Sequence, residues 1–230
     1  MAMTATATIF NKDSRLLREI PDGTVDMVVT SPPFNISHRY RTYHDSLDYD
    51  DFENLYANVI ASISRVLKAD GYFIVDIADM IVMAHRIIYG AEFIRERALT
   101  AGLELLCAFP YIAVEGYDER MESSISRDDT AKKFHSSCEQ LLFFGKPMAS
   151  RDVVENIHTE PVYRYSLQRD TAFWPENLVR DLLAPFPLKD KVLLDPFMGS
   201  GTIGRMVMEQ GGRFIGYDID RETLKTYRWI

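Results

Sequence analysis

The sequence predicts an α/β protein built on a doubly wound, mainly parallel sheet. Three observations lead to this fold class. Strand-like runs alternate with helical patterns along nearly the whole chain. A buried strand at residues 191–195 runs into a glycine-rich turn that opens a helix. Another strand, at residues 25–30, stops at a Ser-Pro-Pro-Phe turn, because two successive prolines cannot continue a central strand.

The individual elements follow from the spacing of apolar residues. We predict strands at residues 6–10, 25–30, 72–77, 103–114, 139–144, 191–195 and 213–217. We predict helices at residues 52–67, 80–100 and 176–183, a helix that follows the glycine-rich turn and ends at about residue 210, and a final helix. Asp50 or Asp51 is expected to cap the first helix, and Gly71 follows its end.

Length and composition fit one domain over residues 1–230, with 47% apolar residues available for a core. The stretches 115–137 and 147–170 are predicted as loop insertions that are too short for a core of their own. Neither a membrane span nor a signal peptide is recognised, so we expect a cytoplasmic protein. Cys107 and Cys138 have no metal-ligand spacing. We therefore expect two buried thiols and no metal site.

The net charge of −8 and the pI of about 5.2 argue against a general nucleic-acid-binding surface, which is usually basic. Binding through a local basic group is still compatible with this charge. One such group contains His38, Arg39, Arg41 and His44. A looser group contains Arg120, Arg127, Lys132 and Lys133. A solvated loop is the alternative interpretation of both.

The glycine-rich turn has the pattern of a nucleotide-binding turn. Gly199, Gly201 and Gly204 satisfy G-x-G-x-x-G between a strand and a helix, where glycines let a ligand approach the backbone. The next strand ends at Asp218, and an acid at this place accepts hydrogen bonds from ribose hydroxyls. The pattern fits a dinucleotide or an adenosine cofactor. A tight turn without a ligand is the structural alternative.

The Ser-Pro-Pro-Phe turn carries groups that suit chemistry on an amine. The amino group of a nucleobase is a poor nucleophile, and acceptors for its N–H hydrogens assist its attack. The Ser31 side chain and the Pro32 carbonyl are candidate acceptors, and the prolines hold that carbonyl in place. Phe34 offers a face on which a flipped base can stack. Taken alone, this turn is more often structural than catalytic.

Together, the two turns resemble those of the amino-methyltransferases of DNA in the β-type chain order, such as restriction-modification methyltransferases. That family has an early (D/N/S)-P-P-(Y/F) turn and a late D-P-F-x-G-S-G-T turn, which here correspond to residues 31–34 and 195–202. Residues 213–218 resemble the strand with the ribose-binding acid. Cys138 stands where the family often has His, and Asp170 and Thr171 replace a His-Pro pair.

This resemblance implies S-adenosyl-L-methionine as the cofactor. It implies catalytic roles for Ser31, Pro32, Pro33 and Phe34. It implies cofactor contacts for Asp13, Thr171, Asp195, Phe197, Gly199, Ser200, Gly201, Thr202 and Asp218.

The resemblance also implies a Rossmann-like methyltransferase sheet ordered 3-2-1-4-5-7-6 and circularly permuted, with the catalytic turn N-terminal and the cofactor turn C-terminal. If residues 6–10 form strand 3, strands 1 and 4 are neighbours where the winding reverses, and ligands bind at that point. The two turns then lie side by side, although they are far apart in sequence. Asp13, after strand 3, would accept from the adenine amine of the cofactor. A plain turn aspartate is the alternative.

The implied activity is methylation of an exocyclic amine of a flipped DNA base in a short specific site. Ser31 favours N4 of cytosine, because the family's serine motif occurs mostly in cytosine-N4 enzymes. The alternatives are an N6-adenine DNA methyltransferase, a non-catalytic partner subunit, an RNA or protein amide methyltransferase, and a nicotinamide-dependent dehydrogenase. The dehydrogenase would leave residues 31–34 unexplained.

DNA is the expected partner, and contacts are predicted for the loop after the catalytic turn. This loop interleaves basic and aromatic side chains, a mixture that suits phosphate contact and base stacking. The predicted DNA-binding residues are Asn35, His38, Arg39 and Arg41. The 115–137 and 147–170 insertions are further candidates. Because no full recognition domain is present, sequence recognition falls to loops, to a homodimer or to a separate specificity partner.

Overall fold

The computed structural model of the chain describes residues 6–35, 40–83, 86–115, 138–157, 162–165 and 174–224. In these ranges, the helices are too short or too polar to cross a lipid bilayer. The strands are β1 (Thr6–Phe10), β2 (Val25–Thr30), β3 (Leu67–Ala78), β4 (Met80–Met83), β5 (Arg86–Tyr89), β6 (Glu104–Glu115), β7 (Cys138–Gly145), β8 (Val162–Tyr165), β9 (Val192–Asp195) and β10 (Arg213–Tyr217). The helices are α1 (Tyr49–Val66), α2 (Gly90–Thr100), α3 (Asp152–Glu155), α4 (Glu176–Leu183), α5 (Thr202–Glu209) and α6 (Arg221–Leu224).

A central sheet organises the described part of the chain. Eight of the described strands form it, in the order β1-β10-β9-β2-β3-β7-β6-β8. Neighbouring strands are parallel except that β7 is antiparallel to β3 and β6. The first seven follow the order that the resemblance implies, with β9 beside β2 where the winding reverses. The predicted doubly wound α/β fold is confirmed, and β8 adds an edge strand that was not predicted.

Helices cover both faces of this sheet. On one face α1 and α2 pack on a cluster that includes Val28 and Phe73. On the other face α4 and α5 pack on a cluster that includes Val29 and Ile74. Successive residues of β2 and β3 therefore enter opposite clusters, as the pleat of a strand requires. Both faces are buried, which explains why these strands read as continuous apolar runs.

Residues 80–100 do not form the single helix that the sequence predicted. Strands β4 and β5 form an antiparallel hairpin, and the helix begins only at Gly90. The Gly90 N–H donates to the Asp79 carbonyl at 3.0 Å, and a Cβ at position 90 would lie 2.1 Å from the Ala78 carbonyl oxygen. This close approach turns the chain back onto β3. The prediction of one long helix was wrong because the contact is tertiary.

The first helix also begins earlier than predicted. Asp48 is its N-cap, and its carboxylate accepts from the Asp51 N–H at 2.9 Å, so neither Asp50 nor Asp51 is the cap. The helix ends at Val66, and β3 starts directly at Leu67 instead of after Gly71. The start of the helix is therefore set by this cap and not by the first apolar residue of the periodic pattern.

Three smaller expectations concern the two cysteines and the two predicted loop insertions. Cys107 and Cys138 are not joined in a disulfide and are only half-buried, which corrects the prediction of two buried thiols. The stretch 147–170 contains α3 and β8, so it is not wholly irregular. The insertion at 115–137 lies outside the described residues apart from Glu115, which ends β6.

Candidate functional site

The two turns singled out in the sequence meet at the carboxyl edge of the sheet. β2 and β9 are neighbours, so the ends of both strands lie side by side. The Thr30 hydroxyl donates to the Asp195 carboxylate at 2.7 Å, and the Phe197 N–H donates to the same oxygen at 3.1 Å. The buried Asp195 carboxylate therefore links Thr30, the residue before Ser31, to Phe197 in the turn after β9.

The glycine-rich turn is held by its own backbone. Its Gly199 and Gly201 have φ values of 45° and 74°, a left-handed conformation that favours glycine. The Gly201 N–H donates to the Met198 carbonyl at 2.7 Å, and the Met198 N–H donates to Tyr217 of β10 at 3.0 Å. A Cβ at Gly199 would meet only one atom within 4 Å, the Phe197 carbonyl oxygen at 3.9 Å. The backbone of this turn is therefore open to a ligand.

Acidic side chains flank the turn. Asp218 follows β10, and its carboxylate accepts from the Asp220 N–H at 2.7 Å. Burial raises the pKa of Asp218 to about 6, and the neighbouring Asp220 charge adds to the rise. Burial raises the pKa of Asp195 to about 7, against the opposing hydrogen bond from Thr30. Each is a carboxyl group kept in a site where its charge is poorly solvated.

The remaining predicted cofactor residues are placed less directly. Ser200 and Thr202 join their hydroxyls at 3.0 Å where α5 begins. Asp13 follows β1, but its carboxylate accepts from the backbone N–H and the Nε of Arg15, both at 2.8 Å. Burial opposes its ionisation, yet the hydrogen bonds from Arg15 lower the pKa of Asp13. Thr171 lies outside the described residues.

The catalytic turn has a defined orientation. The Ser31 hydroxyl donates to Oδ2 of Asp76 on β3 at 3.1 Å. The Tyr56 hydroxyl on α1 donates to the Pro33 carbonyl at 2.8 Å. Pro32 is buried, and none of the described residues donates to its carbonyl, the predicted acceptor. Phe34 is half-buried against the cluster under α1 and α2.

Asn35 holds the loop that follows this turn. It is buried with a φ of 60°, and its N–H donates to the Asp45 carboxylate at 2.8 Å. Its amide donates to the Leu47 carbonyl at 2.9 Å and accepts from the Leu47 N–H at 2.6 Å. These contacts give Asn35 a positioning role in the loop, and its predicted DNA contact stays a prediction. Arg41 is 68% exposed, with its Nε 3.8 Å from Asp220. His38 and Arg39 lie outside the described residues.

Sequence reasoning gave no site role to Asp76, which accepts from Ser31, or to three side chains that are associated with Asp76. Besides Ser31, Oδ2 of Asp76 accepts from Nε1 of Trp174 at 2.6 Å. The Tyr111 hydroxyl on β6 donates to Glu139 at the start of β7. Asp76 is the one charged residue in the apolar run of residues 72–78, a signal that could have pointed to a functional strand end. Nothing local to Tyr111 or Trp174 indicated their roles.

Metal ligands and cavities are the last features of this region. The described residues contain no group of three or more His, Cys, Asp or Glu side chains arranged for a metal ion. An apolar cavity of about 10 Å³ lies beneath the turn, between Pro32, Phe197 and side chains of α1. Its volume holds about one water molecule, so it is a packing space below the site.

The sequence pattern of the DNA methylase family, whose name covers N6 and N4 methylation, matches residues 25–100 and 109–228. The chain is 22% identical over 223 residues to the Type II methyltransferase M.HpaI of Haemophilus parainfluenzae, an alignment that covers 92% of this chain and 69% of that protein. It is 22% identical over 240 residues to the DNA adenine methyltransferase YhdJ of Escherichia coli K12, covering 91% and 76%.

Solved structures show the same fold. The PvuII DNA methyltransferase, described as cytosine-N4-specific, superposes with a TM-score of 0.65 at 19% identity, over 96% of this chain and 85% of that one. A putative DNA modification methylase from Thermus thermophilus, solved with S-adenosyl-L-methionine, superposes with a TM-score of 0.63 at 20% identity, over 97% and 90%.

Proposed function

Because this chain belongs to the DNA methylase family of N6 and N4 amino-methyltransferases, we propose that it methylates N4 of cytosine in DNA with S-adenosyl-L-methionine as the methyl donor. The observation that carries this proposal is the direction of the Ser31 hydroxyl at the catalytic turn. Its hydrogen is given to Asp76, so the lone pairs of its oxygen are free to accept from a substrate amine.

Acceptors of this kind address the chemical difficulty of the reaction. The lone pair of a base amine is delocalised into the ring, and positive charge develops on nitrogen as the new bond forms. The Ser31 oxygen and the Pro32 carbonyl, to which no described residue donates, would together accept both N–H hydrogens and stabilise that charge. The exposed part of Phe34 would stack on a base that has left the duplex.

The cofactor turn fits S-adenosyl-L-methionine by the chemistry of its groups. Asp218 would accept from the ribose hydroxyls, since its ionised form is poorly satisfied by the protein alone. The open backbone at Gly199 leaves space for the ligand beside this acid. The bound cofactor supplies an electrophilic methyl group on a sulfonium centre. Thr30 and Asp195 link this side to Ser31, so the donor and the amine would meet between the two turns.

Cytosine is preferred to adenine because the family's serine motif is mostly that of cytosine-N4 enzymes. The fold neighbour described as cytosine-N4-specific is in keeping with this choice. The relative named as an adenine methyltransferase keeps N6 of adenine as the second candidate. The acceptor geometry at Ser31 serves either amine, so the target atom must be measured.

The test is to incubate the protein with S-adenosyl-L-methionine and mixed-sequence duplex DNA, digest the DNA and identify methylated nucleosides by mass spectrometry. We expect N4-methyldeoxycytidine. N6-methyldeoxyadenosine alone would reassign the target base, and the absence of both would contradict DNA amino-methylation.

A matched variant tests the catalytic turn. Phe34→Ala should leave cofactor affinity unchanged, because Phe34 belongs to the other turn. It should lower kcat/KM for DNA by about 5- to 150-fold, the equivalent of roughly 1–3 kcal/mol of base stacking. Met148→Ala is the control, since this exposed residue follows β7 at the opposite edge of the sheet. A normal rate for Phe34→Ala would remove Phe34 from the base site.

A further inference from the structure

We infer that Glu139 is a positioning residue for the transfer reaction: its carboxyl group lies beside Asp76 and shares with it the one proton that the ionised pair takes up from the methylated amine through Ser31. This inference rests on the proposed function. The sequence motifs did not indicate Asp76, and they indicated Glu139 only as the first residue of a stretch that resembles the family's late strand.

Strand register brings the two carboxyl groups together. Glu139 of β7 is paired with Ala78 of β3 on one side and with Tyr111 of β6 on the other. Asp76 lies two residues before Ala78, so it occupies the same face of the sheet as a diagonal neighbour of Glu139. This face is the one covered by α4 and α5, and the preceding Trp174 closes it.

The two carboxylate oxygens of Asp76 differ in their hydrogen-bond partners. Oδ2 accepts from Ser31 and from Trp174. Oδ1 is fully buried, and no described donor reaches it. The other groups beside Asp76 are the Glu139 carboxyl and the Tyr111 hydroxyl, which itself donates to Glu139. Two carboxylates cannot hydrogen-bond to each other, so this contact becomes favourable only when one of them carries a proton.

The surroundings favour that shared proton. Burial raises the pKa of Asp76 well above its ordinary value, and the Glu139 charge raises it further. Burial also raises the pKa of Glu139, against the hydrogen bond from Tyr111. The described groups that face the pair are Ser31, Trp174 and Tyr111, with Tyr56 on α1 close enough to sense the Asp76 charge. None of these is cationic.

The pair of Asp76 and Glu139 takes up the proton that the reaction releases. The N–C bond forms as the S–C bond breaks, and the amine nitrogen becomes positively charged. The nitrogen gives a proton to Oγ of Ser31, while the Ser31 proton passes to Oδ2 of Asp76. Ser31 ends as a hydroxyl, and the fully ionised pair becomes the pair with one shared proton. That proton leaves to solvent before the next turnover.

This scheme makes the step depend on pH in a definite direction. The proton-accepting form is the one in which the pair has lost its shared proton, so the rate rises as pH rises through the titration of the pair. Removing the Glu139 charge makes Asp76 easier to ionise and also a weaker base. Removing the Tyr111 hydroxyl leaves Glu139 less satisfied as an anion, which has the opposite effect.

The experiment measures single-turnover methylation rates between pH 5 and 10 for wild type, Glu139→Gln, Tyr111→Phe and the control Glu104→Gln. Glu104 is an exposed residue of β6 that is paired with Arg151. We expect the rising limb of Glu139→Gln to move to lower pH by about one unit or more, with a lower plateau. We expect Tyr111→Phe to move the limb to higher pH and Glu104→Gln to leave it in place. If the Glu139→Gln and Tyr111→Phe proteins are folded and the rising limb of each pH–rate profile stays at the wild-type pH, the inference is overturned.

A second measurement does not depend on catalysis. Carboxyl carbon NMR should show Asp76 and Glu139 titrating as one unit in wild type, with the Asp76 titration moved to lower pH in Glu139→Gln. Independent titration of both groups in the ordinary carboxyl range would overturn the inference. If wild type shows the shared titration but methylates no DNA, the proposed function fails while the shared proton stands.

Discussion

At the scale of single residues, two acids beside the cofactor turn are buried, and burial disfavours their ionised form. Among the described residues, no cationic side chain forms an ion pair with Asp195 or Asp218. Burial raises their pKa values to about 7 and about 6. Strongly perturbed carboxyl groups collect at functional sites, because a ligand later supplies the missing hydrogen bonds. Their burial is the reason why we propose both acids as ligand contacts.

The pKa of Asp218 predicts how cofactor affinity changes with pH. The ionised carboxylate accepts from ribose hydroxyls better than the neutral acid, so affinity for S-adenosyl-L-methionine should rise as pH increases through about 6 and then level off. Isothermal titration calorimetry from pH 5 to 8 measures this. Asp218→Asn should bind more weakly and lose the dependence near pH 6. Asp22→Asn, an exposed acid paired with Arg65, is the control. A flat wild-type profile would contradict the assignment.

The same shifts affect stability without ligand. Asp195 and Asp218 hold protons more tightly in the folded state than their ordinary value of 3.8 implies. Their contribution to stability is therefore present below pH 3.8 and is lost as pH rises through about 6 to 7. Cofactor that binds the ionised form should offset this loss.

At the scale of elements, the hairpin of β4 and β5 shows where local patterns mislead. Ile81 and Ile88 are buried in the cluster under α1 and α2, while Ile87 and Tyr89 are exposed. Apolar residues in such a short segment fit either a helix or a hairpin. The choice is made at Gly90, whose backbone lies against β3 too closely for any side chain.

Gly90→Ala should therefore destabilise the protein. The added Cβ meets the Ala78 carbonyl oxygen and Cγ1 of Ile77, and the backbone oxygen cannot rotate away as a side chain would. We expect a loss of about 1–3 kcal/mol in the free energy of unfolding, the usual cost of overpacking, measured by urea denaturation. Glu96→Ala, an exposed position in α2, is the control. Equal stability of Gly90→Ala and wild type would show that the hairpin junction is loose.

At the scale of the whole molecule, a net charge of −8 opposes the approach of DNA. Contact with phosphate must then come from local cations. Arg41 stands on the loop that Asn35 holds beside the catalytic turn, and its guanidinium reaches towards Asp220 near the cofactor acid. This position supports the predicted DNA contact, because a base that enters the site brings its phosphates past this loop.

Arg41→Ala should weaken DNA binding and leave cofactor affinity nearly unchanged. If Arg41 contacts one phosphate, the slope of log affinity against log salt should flatten by roughly one unit. Arg151→Ala is a matched control, because Arg151 is 70% exposed and also paired with an acid, but lies far along the sheet beside Glu104. Fluorescence anisotropy at several salt concentrations measures both. Parallel slopes for Arg41→Ala and wild type would exclude this contact.

Local sequence determined most of the fold and the two turns. Buried parallel strands read as apolar runs, prolines end β2, and glycines mark the turn before α5. These signals are covalent or nearest-neighbour properties, so they are visible without tertiary structure. Together with the family resemblance, they predicted the strand order and the neighbouring positions of Ser31 and Asp195.

Tertiary structure decided what surrounds the reacting amine. Asp76 meets Ser31 and Trp174 across sequence separations of 45 and 98 residues, and Glu139 joins it through the register of β3 and β7. It also gave Asn35, a predicted DNA contact, the hydrogen bonds that hold the loop. Sequence periodicity assigns a residue to one face of a strand. Which groups share that face depends on how neighbouring strands are aligned, and alignment is set by packing of the whole sheet.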